Sequence, residues 1–216
     1  MVIQRVGQPR LGVVRERCYA GDDLSIVAKE REMTLLVFGM LLFIAIHMLP
    51  ASPVFRAGLV IRLGELPYKG VFALISALAL VMIVMGKAQA PEVPLWTPPS
   101  WGRSFTAPLV LMAFILVISA YLPSNLRRLT PHPMLGGVIL WALGHLLANG
   151  DQASAILFGG FALYSVVAIA SANRRGATRS HSKKAWYWDL LVVLIGCSTW
   201  TVVLMFHRSL FGVALF

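Results

Sequence analysis

Two histidines set inside long apolar runs are the residues best placed to do chemistry in this chain. His145 lies in the stretch PHPMLGGVILWALGHLLANGD, residues 131–151, with Trp141 four residues before it and Asn149 four after. His47 lies near the end of an earlier apolar run, just before PASPVFR. A charged side chain inside a membrane helix costs roughly 2.5 kcal/mol or more, so an ionisable residue there marks a functional position. Neutral imidazole is the commonest side-chain metal ligand. The spacing of four puts Trp141, His145 and Asn149 on one helix face. Gly137, Gly144 and Ala148 form a small-residue stripe beside them, which admits either a neighbouring helix or a flat ligand. Two intramembrane histidines on different helices, next to glycine, suit a haem held between helices. The other reading of the same spacing is a histidine that simply hydrogen-bonds to a neighbouring helix.

The remaining polar residues carry weaker signals. His132, between Pro131 and Pro133, reads as a rigid interfacial turn; His207 beside Arg208 reads as interfacial, and His181 sits in a basic loop. Glu65 among Arg62, Tyr68 and Lys69 reads as a surface ion pair, and Asp151 as the N-cap of the helix that follows Gly150. Cys18 and Cys197 make neither a disulfide framework nor a zinc site. No serine–histidine–acid set and no phosphate-binding glycine loop occur. A proton-driven transporter would want more intramembrane carboxylates than this chain has.

The elements that must position these residues are membrane helices. Of 216 residues, 58% are hydrophobic and 13% charged, against about 25% charged in a soluble domain. The expected fold is an all-α polytopic bundle of about six spans, roughly residues 34–49, 69–86, 107–122, 133–148, 153–171 and 186–205. A proline- and tryptophan-rich loop, with Trp96 and Trp101, separates the second and third. Trp186, Tyr187 and Trp188 open the sixth as an aromatic belt. The terminal run 210–216 is apolar but too short to span. The net charge of +10 is carried in short loops, where it anchors the cytoplasmic side, so no nucleic-acid partner is expected; the partner is the lipid bilayer.

Residues 1–32 differ from the rest: they are polar and hold five of the nine acidic residues. Met33 leads directly into the first apolar run. We expect the native start at Met33, leaving residues 33–216 as the transmembrane domain; the other reading of 1–32 is a disordered tail.

The residues resemble the NnrU family of bacterial membrane proteins and, more distantly, plant zeta-carotene isomerase. The likeness runs from Met33 to the C-terminus. Its blocks are His47 with PASPVFR, followed by Arg62, Gly64, Glu65, Tyr68, Gly70 and Phe72; then HPMLGGVILWALGHLLANGD; then His207 to Gly212-Val213. The NnrU resemblance implies a multi-pass protein of the bacterial cytoplasmic (inner) membrane, associated with nitric oxide metabolism and denitrification and so with a nitrogen-oxide reductase system. The isomerase resemblance implies haem b bound through two histidines at the positions of His47 and His145. Trp141, Gly144 and Asn149 would then surround the cofactor, packing on its edge, giving it room and orienting an imidazole. Those relatives carry a cysteine three residues before the second histidine, where this chain has Ala142. The alternatives are a haem-dependent isomerase-like enzyme acting on an isoprenoid or carotenoid, and a cofactor-free scaffold. One tension is visible: His47 is about two residues from a span end and His145 about twelve into its span, a depth difference of roughly 15 Å at 1.5 Å per residue. If it persists, His132 is the alternative partner for His47.

Orientation follows from Lys and Arg. The links after spans one, three and five hold Arg56, Arg62, Lys69, Arg127, Arg128, Arg174, Arg175, Arg179, Lys183 and Lys184, against Lys87, Arg103 and Arg208 opposite when counting starts at Met33. Six more opposing charges in residues 1–32 would erase the bias. A reporter fused after Arg175 should therefore report cytoplasm and one fused after Phe216 periplasm. The opposite pattern would contradict the orientation.

Overall fold

The computed structural model describes residues 33–212; residues 1–32, and with them the start at Met33, lie outside the described residues. The described chain is a helical bundle. Helix α1 spans Met33–Ala51, its last three residues, Leu49–Ala51, wound as a 3-10 turn around Pro50. Then come α2, Pro53–Leu63, α3, Glu65–Gln89, α4, Gly102–Ser119, α5, Pro133–Ala148, α6, Gln152–Arg174, and α7, Trp186–Phe211. Helices α1, α3, α4, α6 and α7 are long and apolar enough to cross a membrane, and α5 is apolar but shorter. About six spans is therefore right.

The boundaries have local causes. Helix α5 opens with Pro133 at its first position, where the missing N–H costs nothing, and it ends where Asn149 turns extended. Gly64 between α2 and α3 has φ 86°, a backbone state that favours glycine. Gly212 closes α7 at φ 74°, so Leu210 and Phe211 finish that helix rather than beginning a separate terminal segment. The expected surface pair exists: Lys69 Nζ lies 2.7 Å from Glu65, with both side chains about three-fifths exposed, so it adds little stability. Helix α2 is the element the sequence reading missed. It has no buried residue, exposes Val54, Phe55 and Ile61, and carries Arg56 and Arg62. This is the composition of a helix lying in the membrane interface.

The spans pack in the spatial order α3, α1, α6, α5, α4, α7. The closest approaches occur at small residues, as expected where helix association depends on packing. A methyl group on Gly86 of α3 would lie 2.5 Å from the Leu36 amide nitrogen of α1. Contacts join α4 to α5 and to α7, and α5 to α6. The core is built from Leu36 and Met40 of α1, Ile83 of α3, Ala142 of α5, and Ala153, Leu157 and Phe158 of α6. Polar links gather each set of ends. On the basic side, Arg175 donates to the Ala51 carbonyl at 3.1 Å and the Ser180 amide to the Arg127 carbonyl at 3.1 Å. At the other end, Lys87 pairs with Asp151 at 2.7 Å.

Gly86→Ala should force α1 and α3 apart and cost about 1–3 kcal/mol. Gly70→Ala, with nothing within 4 Å of the added methyl, should be neutral or up to about 1 kcal/mol stabilising. Thermal unfolding in detergent reads the difference, and equal melting temperatures for the two variants would contradict this packing.

Candidate functional site

The site begins with the problem of an imidazole N–H in hydrocarbon, where no water is at hand to accept it. His145 Nδ1 lies 2.8 Å from the Trp141 carbonyl oxygen, one turn back. His47 Nδ1 lies 2.9 Å from the Phe43 carbonyl oxygen, again one turn back. A carbonyl only accepts, so in both residues the proton sits on Nδ1. Each Nε2 is left with its lone pair and has no hydrogen-bond partner among the described residues.

Aromatic rings hold both imidazoles flat. Phe43 stacks on His47 with centroids 3.9 Å apart and planes at 19°. Phe158 stacks on His145 at 4.5 Å and 20°. A series of ring contacts joins the two ends: Trp141 meets Phe158 at 4.9 Å and Phe161 at 5.7 Å, and Phe161 meets Phe43 at 5.1 Å. Phe72 of α3 and Tyr164 of α6 complete the surround of His47, at 5.0 and 6.1 Å. Helix α6 supplies the middle of this series, and its first turns are unusual. Residues Ala155–Gly159 are π-helical, a geometry that inserts one residue and frequently accompanies functional sites. Phe158 falls within it.

The expected depth difference is present but reduced at the rings. Both side chains lean back toward the N-termini of their antiparallel helices, and so toward each other. Phe158 and Tyr164, which touch the two imidazoles, are six residues apart on α6, about 9 Å. Phe43, Trp141 and Phe161 occupy the interval. The structure thus brings His47, His145 and Trp141 into one aromatic assembly without bringing the two imidazoles to a common atom.

Three of the sequence-singled positions have defined partners. The stripe at Gly137 and Gly144 is a helix contact, not a slot for a flat ligand. A methyl on Gly144 would lie 3.4 Å from Leu109 and Val110 of α4, and one on Gly137 would lie 2.8 Å from the Ala113 carbonyl oxygen. Thr106 of α4 also donates to the Gly144 carbonyl at 2.8 Å. Asn149 does not orient the imidazole ring. Its amide donates to the His145 backbone carbonyl at 2.8 Å, ending α5, because a residue four places on reaches the carbonyl more easily than a ring leaning the other way. His132, the alternative ligand, uses its Nε2 on the Asn173 side-chain oxygen at 2.7 Å and ties the start of α5 to the end of α6, so it behaves as the interfacial turn its prolines suggested.

Tyr68 was not singled out as a site residue. It is 8% exposed and its hydroxyl is buried without a hydrogen-bond partner among the described residues, a costly state for such a group. Tyr68 lies one helical turn before Phe72, on the side of α3 that reaches His47. The recurrence of an aromatic residue four places before each of these histidines, Phe43 and Trp141, was visible in the sequence. The α6 rings were not, because the π-helical turn shifts their phase.

Asp151 anchors the outer corner. It caps α6, accepting from the Ser154 amide at 2.9 Å and the Ser154 hydroxyl at 2.5 Å, and it pairs with Lys87 of α3. The Trp96 loop is stapled over this corner by the Leu95 and Trp96 amides, which donate to the Gly150 carbonyl at 2.8 and 3.1 Å. A side chain on Gly150 would overlap the Trp96 carbonyl. Burial opposes the charge on Asp151, but the bonds from Lys87 and Ser154 outweigh it and hold the carboxyl below its ordinary value. That stabilisation is complete above the unfolded carboxyl pKa of about 3.9 and is lost as pH falls through the lower folded value. Asp151→Ala should cost about 1–2 kcal/mol from the cap alone. A cycle with Lys87→Ala should show coupling of at least about 0.5 kcal/mol in thermal unfolding. Strict additivity would mean that the pair contributes nothing.

A family model described as NnrU protein matches residues 35–215. No curated protein and no solved structure matches the chain. The family match takes in all but the first two residues of α1 and the whole of α2 to α7, with the two half-buried histidines and the Asn149-Gly150-Asp151 corner, and this chain belongs to the NnrU family.

Proposed function

We propose that this NnrU protein is a haem-b-binding component of nitrogen-oxide metabolism in the bacterial cytoplasmic membrane, with His47 and His145 as its imidazole donors. The observation that carries this reading is the matched state of those two side chains. Each has its Nδ1 proton engaged by its own helix and each leaves a neutral Nε2 lone pair, the donor that a haem iron would take. A ligating histidine characteristically gives its other N–H to a backbone carbonyl or carboxylate, which fixes the tautomer and ring direction.

The surroundings fit the group in chemistry. The walls are Phe43, Phe72, Trp141, Phe158, Phe161 and Tyr164, apolar faces suited to a planar macrocycle. The orphaned Tyr68 hydroxyl is a donor without a task near the His47 end. Bound there, haem would supply an iron that could take a small ligand such as nitric oxide once one of the two imidazoles had left it. The chain's own residues do the rest. His47 and His145 hold a lone pair each, Phe43 and Phe158 fix the orientation of the imidazoles, and the aromatic layer excludes water. One macrocycle shared by both histidines needs Phe43, Trp141 and Phe161 to move aside. The assignment to nitrogen-oxide metabolism rests on the resemblance to NnrU proteins.

Protein expressed with ample haem and purified in detergent should show a Soret band that shifts on adding nitric oxide to the reduced form. His47→Ala and His145→Ala should each weaken or shift the band, while His181→Ala leaves it unchanged. A wild-type protein with no Soret band would overturn the proposal in favour of a cofactor-free scaffold. A band lost in His132→Ala but kept in His145→Ala would move the ligand to the loop between the prolines.

A further inference from the structure

A second region of the molecule is built for a different ligand. A groove of about 690 Å³ opens on the basic side of the bundle, between the α4–α5 link and the start of α7. Its inner wall is apolar, from Ile115 of α4, Leu126 of the link and Val193 of α7, and its rim carries Arg128, Arg179 and His181. Hydrogen bonds hold the two basic links in place around it. The Asn125 side chain donates to the Lys184 carbonyl at 3.0 Å and accepts from the Lys184 amide at 3.0 Å, and the Ser180 amide donates to the Arg127 carbonyl at 3.1 Å.

The carboxylate in this groove, Asp189, is already engaged. Its oxygens accept from the Asn125 backbone and side-chain nitrogens at 2.8 and 2.6 Å. It offsets one positive charge, but neither Arg128 nor Arg179 forms an ion pair among the described residues. The depth is that of lipid headgroups. Trp186 is 74% exposed and opens α7 beside Tyr187, the aromatic pattern of a membrane–water boundary. Basic pockets between spans on the cytoplasmic side are suited to anionic headgroups. Two guanidiniums without an ion-pair partner among the described residues, set over an apolar wall, match an anionic amphiphile in both of its halves, and a guanidinium fork matches phosphate oxygens.

We propose that this groove binds an anionic phospholipid, its phosphate held by Arg128 and Arg179 and its acyl chain lying against Ile115 and Val193. Native mass spectrometry of the full-length protein, released from detergent in the presence of phosphatidylglycerol, phosphatidylcholine or inorganic phosphate, tests it. Phosphatidylglycerol should be retained in preference to phosphatidylcholine. The Arg128→Gln/Arg179→Gln double variant should weaken its binding by at least about tenfold, whereas Arg103→Gln on the opposite side should not. Val193→Trp, which keeps both arginines and fills the apolar wall, should also reduce phosphatidylglycerol retention. Equal retention of the two lipids by wild type, or unchanged binding in both groove variants, would overturn the proposal. Inorganic phosphate binding as tightly as phosphatidylglycerol would also overturn it and assign the rim to a soluble anion.

Discussion

An imidazole in a lipid-embedded bundle must place its N–H on an acceptor, and here the only acceptor it needs is its own helix. The carbonyl one turn back takes the Nδ1 proton of His47 and of His145. That single bond decides the tautomer, folds each ring back along its helix, and points a lone pair away from the backbone. It also sets what must lie against each ring. A flattened imidazole offers a face, and in both places a phenylalanine covers it at close to parallel planes. Helix α6 serves both ends because it lies between α1 and α5, with Phe158 beside His145 and Tyr164 beside His47.

Helix α6 can hold that position only if its outer end is fixed. Asp151 does this through three bonds, two to Ser154 and one to Lys87 of α3, so one carboxylate links the turn after α5 to the far side of the bundle. The close contact at Gly86 brings α1 against α3, and the stripe at Gly137 and Gly144 locks α5 to α4. Small residues thus bring α3 against α1 and α4 against α5, while Phe158, Phe161 and Tyr164 of α6 meet the rings of both histidine-bearing helices.

The same packing explains what the sequence revealed. Helix α5 was legible to the residue, because Pro133 begins it and Asn149-Gly150-Asp151 ends it. His47, His145, Trp141 and the cap at Asp151 stood out because each is a polar or aromatic exception in an apolar run. The partners of Gly144 and Asn149 were not legible for a common reason: spacing gives the helix face, but not which neighbour covers it, and neighbours are set by pairings distant in sequence. Helix α2 escaped because Pro53–Leu63 is too short to span and its arginines read as loop charge. Phe158 and Phe161 escaped because a π-helical turn breaks the 3.6-residue phase on which face assignments rest. Tyr68 looked like part of a surface motif, and only packing shows its hydroxyl to be enclosed.

The central claim is that both half-buried imidazoles are neutral, protonated on Nδ1, and carry a free lone pair on Nε2. Nitrogen NMR of histidine-labelled protein in detergent micelles at neutral pH measures this directly. The resonances of His47 and His145, assigned by their loss in the alanine variants, should show a proton bonded to Nδ1 and an unprotonated Nε2. A proton on Nε2 in both residues would contradict the account, because the lone pairs would then point into their own helices and neither side chain could serve as a donor to the space between α1, α5 and α6.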